Sequence, residues 1–214
     1  MAQVFVCCEG VRDAGVFEAL IEKCSSASAR CMTHNDVKHI KIGNQKSLKR
    51  DKDKDDKVDM KAYIRRIAHI AGENDSTFIG YHQDAGGDFD RVYNSVNGAM
   101  DEYREKGYQC LAIVPKEMTE SWLLADEYAY VAAYGNKPEN PALPKRPEDI
   151  WGEKKMPESD YPKHVIERVL NQYRKAANRE TYREIAENSD IDTIKNCCPK
   201  SFTRFVDDLA NMGI

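Results

Sequence analysis

The sequence predicts an α/β fold: a parallel sheet with helices on both faces, followed by a C-terminal helical extension. Three observations carry this expectation. Apolar runs of strand length (VFVCC, FIGYH and CLAIV) each give way to a helical stripe, the alternation that parallel sheets with right-handed crossovers require. The runs are apolar at consecutive positions, as in strands covered on both faces. Beyond residue 163 the pattern is helical only.

The elements follow in order. Residues 3–8 form a nearly all-apolar strand, and over 13–24 Val16, Phe17, Leu20, Ile21 and Cys24 share one helical stripe. From about 25 to 57 the pattern weakens. HIKIGN (39–44) reads as a short strand, and SLKRDKDKDDKVD as a solvated loop of alternating charge. The Asp51, Asp53, Asp55 spacing superficially matches a calcium loop, but Asp56 stands where the turn needs glycine and Ala62 where a bidentate Glu belongs. Met60, Tyr63, Ile64, Ile67, Ala68 and Ala71 restore a helix, closed by Gly72, and STFIGYHQ (76–83) is the next strand. Val92, Tyr93, Val96, Ala99, Met100 and Tyr103 then mark an amphipathic helix ended by Gly107. YQCLAIV (108–114) is a strand stopped at Pro115, and TESWLLADEYAYVAAYG reads as one buried helix. Residues 136–162 hold most of the eight prolines and predict a connection without regular structure. Helical stripes follow at Val165, Ile166, Val169, Leu170 and Tyr173, and at Phe202, Phe205, Val206 and Leu209. The expected organisation is an α/β domain over 1–135, a Pro-rich connection over 136–162, and a helical region over 163–214 packed on the first domain.

Composition narrows the class. With 41% hydrophobic and 32% charged residues in 214, the chain reads as an ordinary globular protein. No apolar run approaches the roughly 18 residues that span a bilayer, and MAQVFVCCEG lacks the basic region of a signal peptide, so no membrane association is expected. The seven cysteines are odd in number and form no paired CxxC motifs, which predicts free thiols in a reducing, cytoplasmic setting. A net charge of −4 argues against nucleic-acid binding through the overall field. A local basic surface would then be needed, drawn from Lys38, Lys41, Lys46, Lys49 and Arg50, or from Lys154, Lys155, Lys163, Arg168, Arg174 and Lys175. No GxxxxGK[ST] fingerprint is present, so any energy-dependent action must come from a partner.

The chemistry-bearing residues cluster where the strands end. Glu9 closes the first strand, and Gly10 behind it permits a tight turn; Asp13 reads either as a helix cap or as a nearby site residue. His82, Asp84, Asp88 and Asp90 surround the Ala85-Gly86-Gly87 turn after a later strand. Lys116, Glu117, Thr119, Glu120 and Asp126 follow the last strand; Thr119 reads as an N-cap, and Asp126 interrupts an apolar helix. In an open parallel sheet such strand ends meet in one crevice. Carboxylates gathered there repel one another, and the usual remedy is a divalent cation with oxygen ligands, Mg²⁺ or Mn²⁺. Glu9, Asp84, Asp88 and Glu120 are the candidate metal ligands, and Glu9, Asp84, Lys116 and Glu120 the candidate catalytic groups. Asp13, His82, Asp90, Glu117 and Asp126 are candidate supporting residues.

Together these residues resemble the TOPRIM domain of topoisomerases, primases, recombination proteins and overcoming-lysogenisation-defect nucleases. That domain pairs a Glu after its first strand with an Asp-x-Asp motif after a later one. The chain is most similar to a bacterial TOPRIM-like family of unknown function, through Glu9-Gly10, His82-Gln83-Asp84, the segment Pro115 to Asp126, and Pro199 to Phe205. The resemblance implies a Mg²⁺- or Mn²⁺-dependent nuclease acting on DNA or RNA. It further implies an effector subunit working beside an ABC-type or AAA-type ATPase in bacterial antiphage defence. One departure is plain: Gly86 stands where the second aspartate belongs. Asp88 would replace it across the glycine turn, or the site holds one metal, or it is degenerate. The alternatives are a non-catalytic interaction subunit and a metal-dependent nucleotide phosphohydrolase. The sequence leaves the oligomeric state open, a homo-oligomer included.

Overall fold

A computed structural model describes residues 2–42, 59–135 and 143–214. The charged run with Lys46, Lys49, Arg50 and the Asp51–Asp55 spacing lies outside the described residues, as do residues 43–44 of the expected short strand. The chain forms β1 (Gln3–Cys8), α1 (Val11–Cys24), β2 (Ser28–Thr33), α2 (His34–Val37), α3 (Met60–Glu73), β3 (Phe78–His82), α4 (Phe89–Ala99), α5 (Asp101–Glu105), β4 (Gln109–Ile113), α6 (Glu120–Leu123) and α7 (Glu127–Tyr134). A 3₁₀ turn at Pro147–Asp149 precedes α8 (Pro162–Gln172), α9 (Arg179–Asn188), α10 (Ile191–Cys197) and α11 (Ser201–Asn211).

The four strands form one all-parallel sheet in the order β2-β1-β3-β4. Their side chains alternate strictly between two cores. Val4, Val6, Cys8, Leu111 and Ile113 face a core shared with α1 and the C-terminal helices, whereas Phe5, Cys7, Ile79, Tyr81 and Ala112 face one shared with α3, α4 and α5. The chain therefore leaves β1 in one direction with α1 on one face, and reaches β3 and β4 on the other side of β1 with helices on the opposite face. Right-handed crossovers demand this arrangement. The strand order reverses between β1 and β3, and the carboxyl ends of these two strands are where open parallel sheets hold ligands.

Gly80 sits where β3 passes between its neighbours. A Cβ there would lie 3.1 Å from Val6 Cγ2, so a side chain at this position would press on Val6 in the centre of the sheet. The C-terminal helices join the α1-side core rather than forming one of their own. Trp122 lies at its centre, with Phe17, Phe202 and Phe205 at ring-centroid distances of 6.0, 5.1 and 5.3 Å. Its indole N–H donates to Ser201 Oγ at 2.8 Å. Buried Glu18 of α1 takes a bidentate hydrogen bond from Arg179 of α9, at 2.6 and 2.7 Å.

The structure differs from the sequence reading in three places. The second strand is Ser28–Thr33, not HIKIGN; residues 39–42 form a turn and coil against α3, where Ile40 carbonyl accepts from Arg66 Nε at 3.2 Å. Only two of the six residues of this edge strand are buried, so SARCMT shows no apolar run. Thr33 ends it by exchanging hydrogen bonds with Asp36, a capping box that starts α2. The helix expected over Val92–Tyr103 breaks at Met100. The single buried helix expected at 120–134 is two helices, and Tyr128 of the second is 74% exposed. No described helix is long and apolar enough to cross a membrane. All seven cysteines are free, four of them buried.

Candidate functional site at the strand ends

The reversal point carries the acidic cluster. Glu9 leaves β1 and Asp84 follows β3; one ligand atom each from Glu9, His82 and Asp84 lie within 4.8 Å of one another. The Asp84 N–H donates to Glu9 Oε2 at 3.3 Å, tying the two strand ends together. Asp84 Oδ1 takes three donors: His82 Nε2 at 3.1 Å, the Thr119 N–H at 3.1 Å and the Thr119 hydroxyl at 3.4 Å. Thr119 thus serves Asp84. It stands at the N-cap position of α6, as expected from the sequence, but makes no side-chain cap there.

His82 is the last residue of β3 and is fully buried, its ring 4.6 Å from that of Phe17. Burial alone would depress its pKa, but the hydrogen bond to Asp84 and the charges of Asp13, Asp84 and Glu9 outweigh it and raise the value to about 9. Nδ1 faces the Glu9 N–H at 3.4 Å and the Asp13 carboxylate at 4.0 Å. Both ring nitrogens are engaged within the protein, so His82 fixes Asp84 in place.

Asp13 accepts the Gly10 N–H at 3.0 Å, the capping contact read from the sequence, and also faces His82. A Cβ at position 10 would come within 2.9 Å of the Asp13 carboxylate, so glycine is what allows this close turn. Burial raises the pKa of both Asp13 and Glu9, His82 pulls the other way, and the Asp84 charge adds to the rise. Glu120, in the first turn of α6, is 1% exposed. Its pKa is pushed up to about 7, by burial first and against the pull of Lys163. Tyr182 donates to Glu120 Oε1 at 3.2 Å, while Oε2 is buried with no hydrogen-bond partner.

Lys163, in the first turn of α8, enters the cluster from the C-terminal region. Burial would lower its pKa, but Glu120, Asp84 and Asp13 outweigh it and raise the value. Sequence reading placed Lys163 only among surface cations, and it passed over Tyr161 and Tyr182. No local signal marks them, because their place depends on how the C-terminal helices pack.

Other candidates lie elsewhere. Asp88 is exposed and paired with Arg91 Nε at 2.5 Å, so it does not substitute for the aspartate absent at Gly86. The reason is the turn itself. Ala85, Gly86 and Gly87 donate backbone hydrogen bonds to the carbonyls of Pro115, Glu117 and Lys116, extending the β3–β4 pairing past the strand ends. Gly86 and Gly87 take φ of 55° and 92°, and the chain enters α4 with Asp88 exposed at the N-cap position, outside the group formed by Glu9, His82 and Asp84. Asp90 is exposed and pairs with Lys200 Nζ at 2.7 Å. Lys116 pairs with Asp149 rather than facing the crevice. Glu117 is buried behind the glycine turn, its pKa raised by burial, and its Oε2 has no partner. Asp126 is structural: it caps α7 through the Tyr128 N–H at 2.9 Å and accepts the Asp190 N–H at 2.8 Å.

The donor set fits a divalent cation. Among the described residues, four carboxylates, Glu9, Asp13, Asp84 and Glu120, gather with two cationic groups, His82 and Lys163, an excess of two negative charges when every group is ionised. The unpartnered Glu120 Oε2 is a further buried acceptor. Oxygen donors suit Mg²⁺ and Mn²⁺. No protein-family model, curated protein or solved structure matches the chain.

Proposed function

We propose that the chain is a divalent-cation-dependent hydrolase of phosphodiester bonds in nucleic acid. The observation that carries this reading is the convergence of Glu9 and Asp84 at the point where the strand order reverses, in a cluster with more negative charge than its own cations balance. The pairing of a Glu after the first strand with an Asp after a later one is also what the TOPRIM resemblance implies.

Glu9 and Asp84 would hold the cation, which when bound polarises a phosphoryl oxygen and lowers the pKa of an attacking water. His82 and Thr119 keep Asp84 Oδ1 in one orientation, leaving its other oxygen for the ion. Lys163 meets the charge of the phosphate that a cation draws into the cluster. Glu120 balances Lys163 from below, and Tyr182 fixes Glu120. By the same resemblance, the proposal extends to an effector working beside an ABC-type or AAA-type ATPase in bacterial antiphage defence.

A second reading, hydrolysis of a nucleotide, is favoured by one observation. Lys116, Lys200, Arg91 and Arg12 are each paired with a carboxylate, from Asp149, Asp90, Asp88 and Glu167. Pairing of this kind reduces the positive surface offered to a long phosphate backbone.

The test incubates purified protein with single-stranded DNA, duplex DNA, RNA or nucleoside triphosphates, in Mg²⁺, Mn²⁺ or EDTA. Polymer cleavage should appear with metal and vanish in EDTA. Asp84→Asn should lower it by more than the about 10- to 100-fold typical of losing an outer-shell partner. Hydrolysis of nucleotides alone would select the second reading. No hydrolysis, together with no heat of Mn²⁺ binding, would leave an interaction subunit.

A further inference from the structure

The segment between the 3₁₀ turn and α8 holds an exposed tryptophan that rests on Tyr161, two positions before Lys163. Trp151 is 59% exposed, whereas the other tryptophan, Trp122, is fully buried. Its exposure does not come from a loose chain end. Glu148 accepts the Lys200 N–H, the Ser201 N–H and the Ser201 hydroxyl at 3.0, 3.0 and 2.9 Å, and Asp149 pairs with Lys116. On the other side, a Cβ at Gly152 would come within 2.2 Å of the Tyr161 backbone nitrogen, a pinch that only glycine permits. Ser159 donates to the Glu153 carbonyl at 2.8 Å, and Arg168 binds the carbonyls of Pro157 and Ser159 at 2.7 and 2.9 Å.

The pinch places Trp151 on Tyr161, with ring centroids 5.8 Å apart and planes crossing at 83°. An edge-to-face contact anchors the indole without stacking a ring over it, and more than half of the residue stays open to solvent. Tyr161 is the residue immediately before α8 and is buried, two positions before Lys163. Its phenol lies within electrostatic reach of the cluster: burial raises its pKa, Lys163 opposes this, and Glu120 and Asp84 add to the rise. Trp151 thus rests on Tyr161, whose phenol feels the charges of Lys163, Glu120 and Asp84.

We propose that Trp151 is a stacking platform for a nucleobase of the substrate, and that the substrate is single-stranded nucleic acid. This inference rests on the phosphodiesterase reading and deepens it. A phosphate at Glu9, Asp84 and Lys163 leaves its attached nucleoside to extend outward, and an exposed indole there offers a π-face that any base fits. A base paired inside a duplex cannot present that face, so the platform selects unpaired strands. Trp151 touches the base and not the reacting atoms, so it governs binding and specificity.

The experiment uses the full chain. Because Trp122 is buried, quenching of tryptophan fluorescence by an added strand reports on Trp151. Short oligothymidylate is titrated in EDTA on an Asp84→Asn background, which removes one repelling charge and prevents cleavage; duplex DNA and inorganic phosphate are the comparison probes. The expected result is quenching by oligothymidylate, far less by duplex, and none by phosphate. Trp151→Ala should weaken oligothymidylate binding about 5- to 100-fold, with partial recovery in Trp151→Phe. In otherwise wild-type protein, Trp151→Ala should raise KM for the single strand and leave kcat and the heat of Mn²⁺ binding unchanged. Equal affinity of Trp151→Ala and its parent, or no quenching in the parent, overturns the platform, whatever becomes of the hydrolase reading. Quenching and the Trp151→Ala loss in a protein that neither binds Mn²⁺ nor cleaves nucleic acid would sustain the platform and remove the hydrolase.

Discussion

At Asp84 one carboxylate oxygen serves His82, the Thr119 amide and the Thr119 hydroxyl at once. Alanine at this position removes an anchor as well as a charge, leaving the Thr119 amide unsatisfied and His82 Nε2 with the Thr119 hydroxyl alone. Asparagine keeps an acceptor and isolates the charge, which is why it is the variant to use. A second histidine shows what burial does when no carboxylate compensates. His34 stacks on Tyr63 at 4.0 Å, its Nε2 is buried without a partner, and its pKa is lowered to about 4, by burial first and then by the charge of His82. The folded state therefore holds the neutral ring more strongly than the unfolded chain does. This contribution is fully present above the unfolded value near 6.5 and is lost as pH falls through about 4. His34→Phe keeps the stacking and removes the titration. Relative to this variant, wild-type protein should lose on the order of 2 kcal/mol of stability between neutral pH and pH ~4, after allowance for the partial exposure of the ring. Urea unfolding at a series of pH values measures the difference, and parallel curves for the two proteins would refute it.

Among the elements, α11 owes its start to a residue far away in sequence. Lys200 and Ser201 present N–H groups at its N-terminus, and buried Glu148 of the Pro-rich connection accepts both and faces the positive end of the helix. Glu148→Ala should cost about 1–3 kcal/mol by leaving these donors unpaired, and Glu148→Gln should cost less. Chemical denaturation of the two variants distinguishes the cap from a mere surface contact, for which both changes would be neutral. This element also shows where sequence reading stops. The stripe Phe202, Phe205, Leu209 announces the helix, but nothing near it announces a cap supplied from residue 148. Local pattern was sufficient for β1, β3, β4 and the longer helices α1, α3, α4, α8 and α11, because apolar runs and stripes are properties of the element alone. It failed for β2, an edge strand in which only Cys31 and Thr33 are buried and no apolar run forms. It also misplaced Asp126, which looked like a charge inside a buried helix and is the break between two.

Across the whole molecule, the site is a product of topology. Glu9 and Asp84 are 75 residues apart and meet because the strand order reverses between β1 and β3, a consequence that the alternation of strands and helices already contained. Lys163, Tyr161 and Tyr182 were not legible, since they reach the cluster only through packing of the C-terminal helices on the α1 face. Asp88 lies outside the group of Glu9, His82 and Asp84, beyond a glycine turn whose backbone pairs with residues 115–117, which the spacing alone does not reveal. The assembled cluster has excess negative charge, and the last prediction concerns its relief. A cation that binds the folded chain and not the unfolded one stabilises it by RT ln(1 + [L]/Kd), about 2.7 kcal/mol at a hundredfold excess over Kd. For a chain of this size that corresponds to a rise in Tm of roughly 5–10 °C. Mn²⁺ should produce such a rise in wild-type protein. Glu9→Gln keeps an acceptor for the Asp84 N–H but removes one charge, so at the same Mn²⁺ concentration its Tm should rise distinctly less. Equal shifts in the two proteins would place the ion elsewhere. No shift in either, with no heat of binding by calorimetry, would mean that His82, Lys163 and raised carboxylate pKa values balance the cluster without a metal.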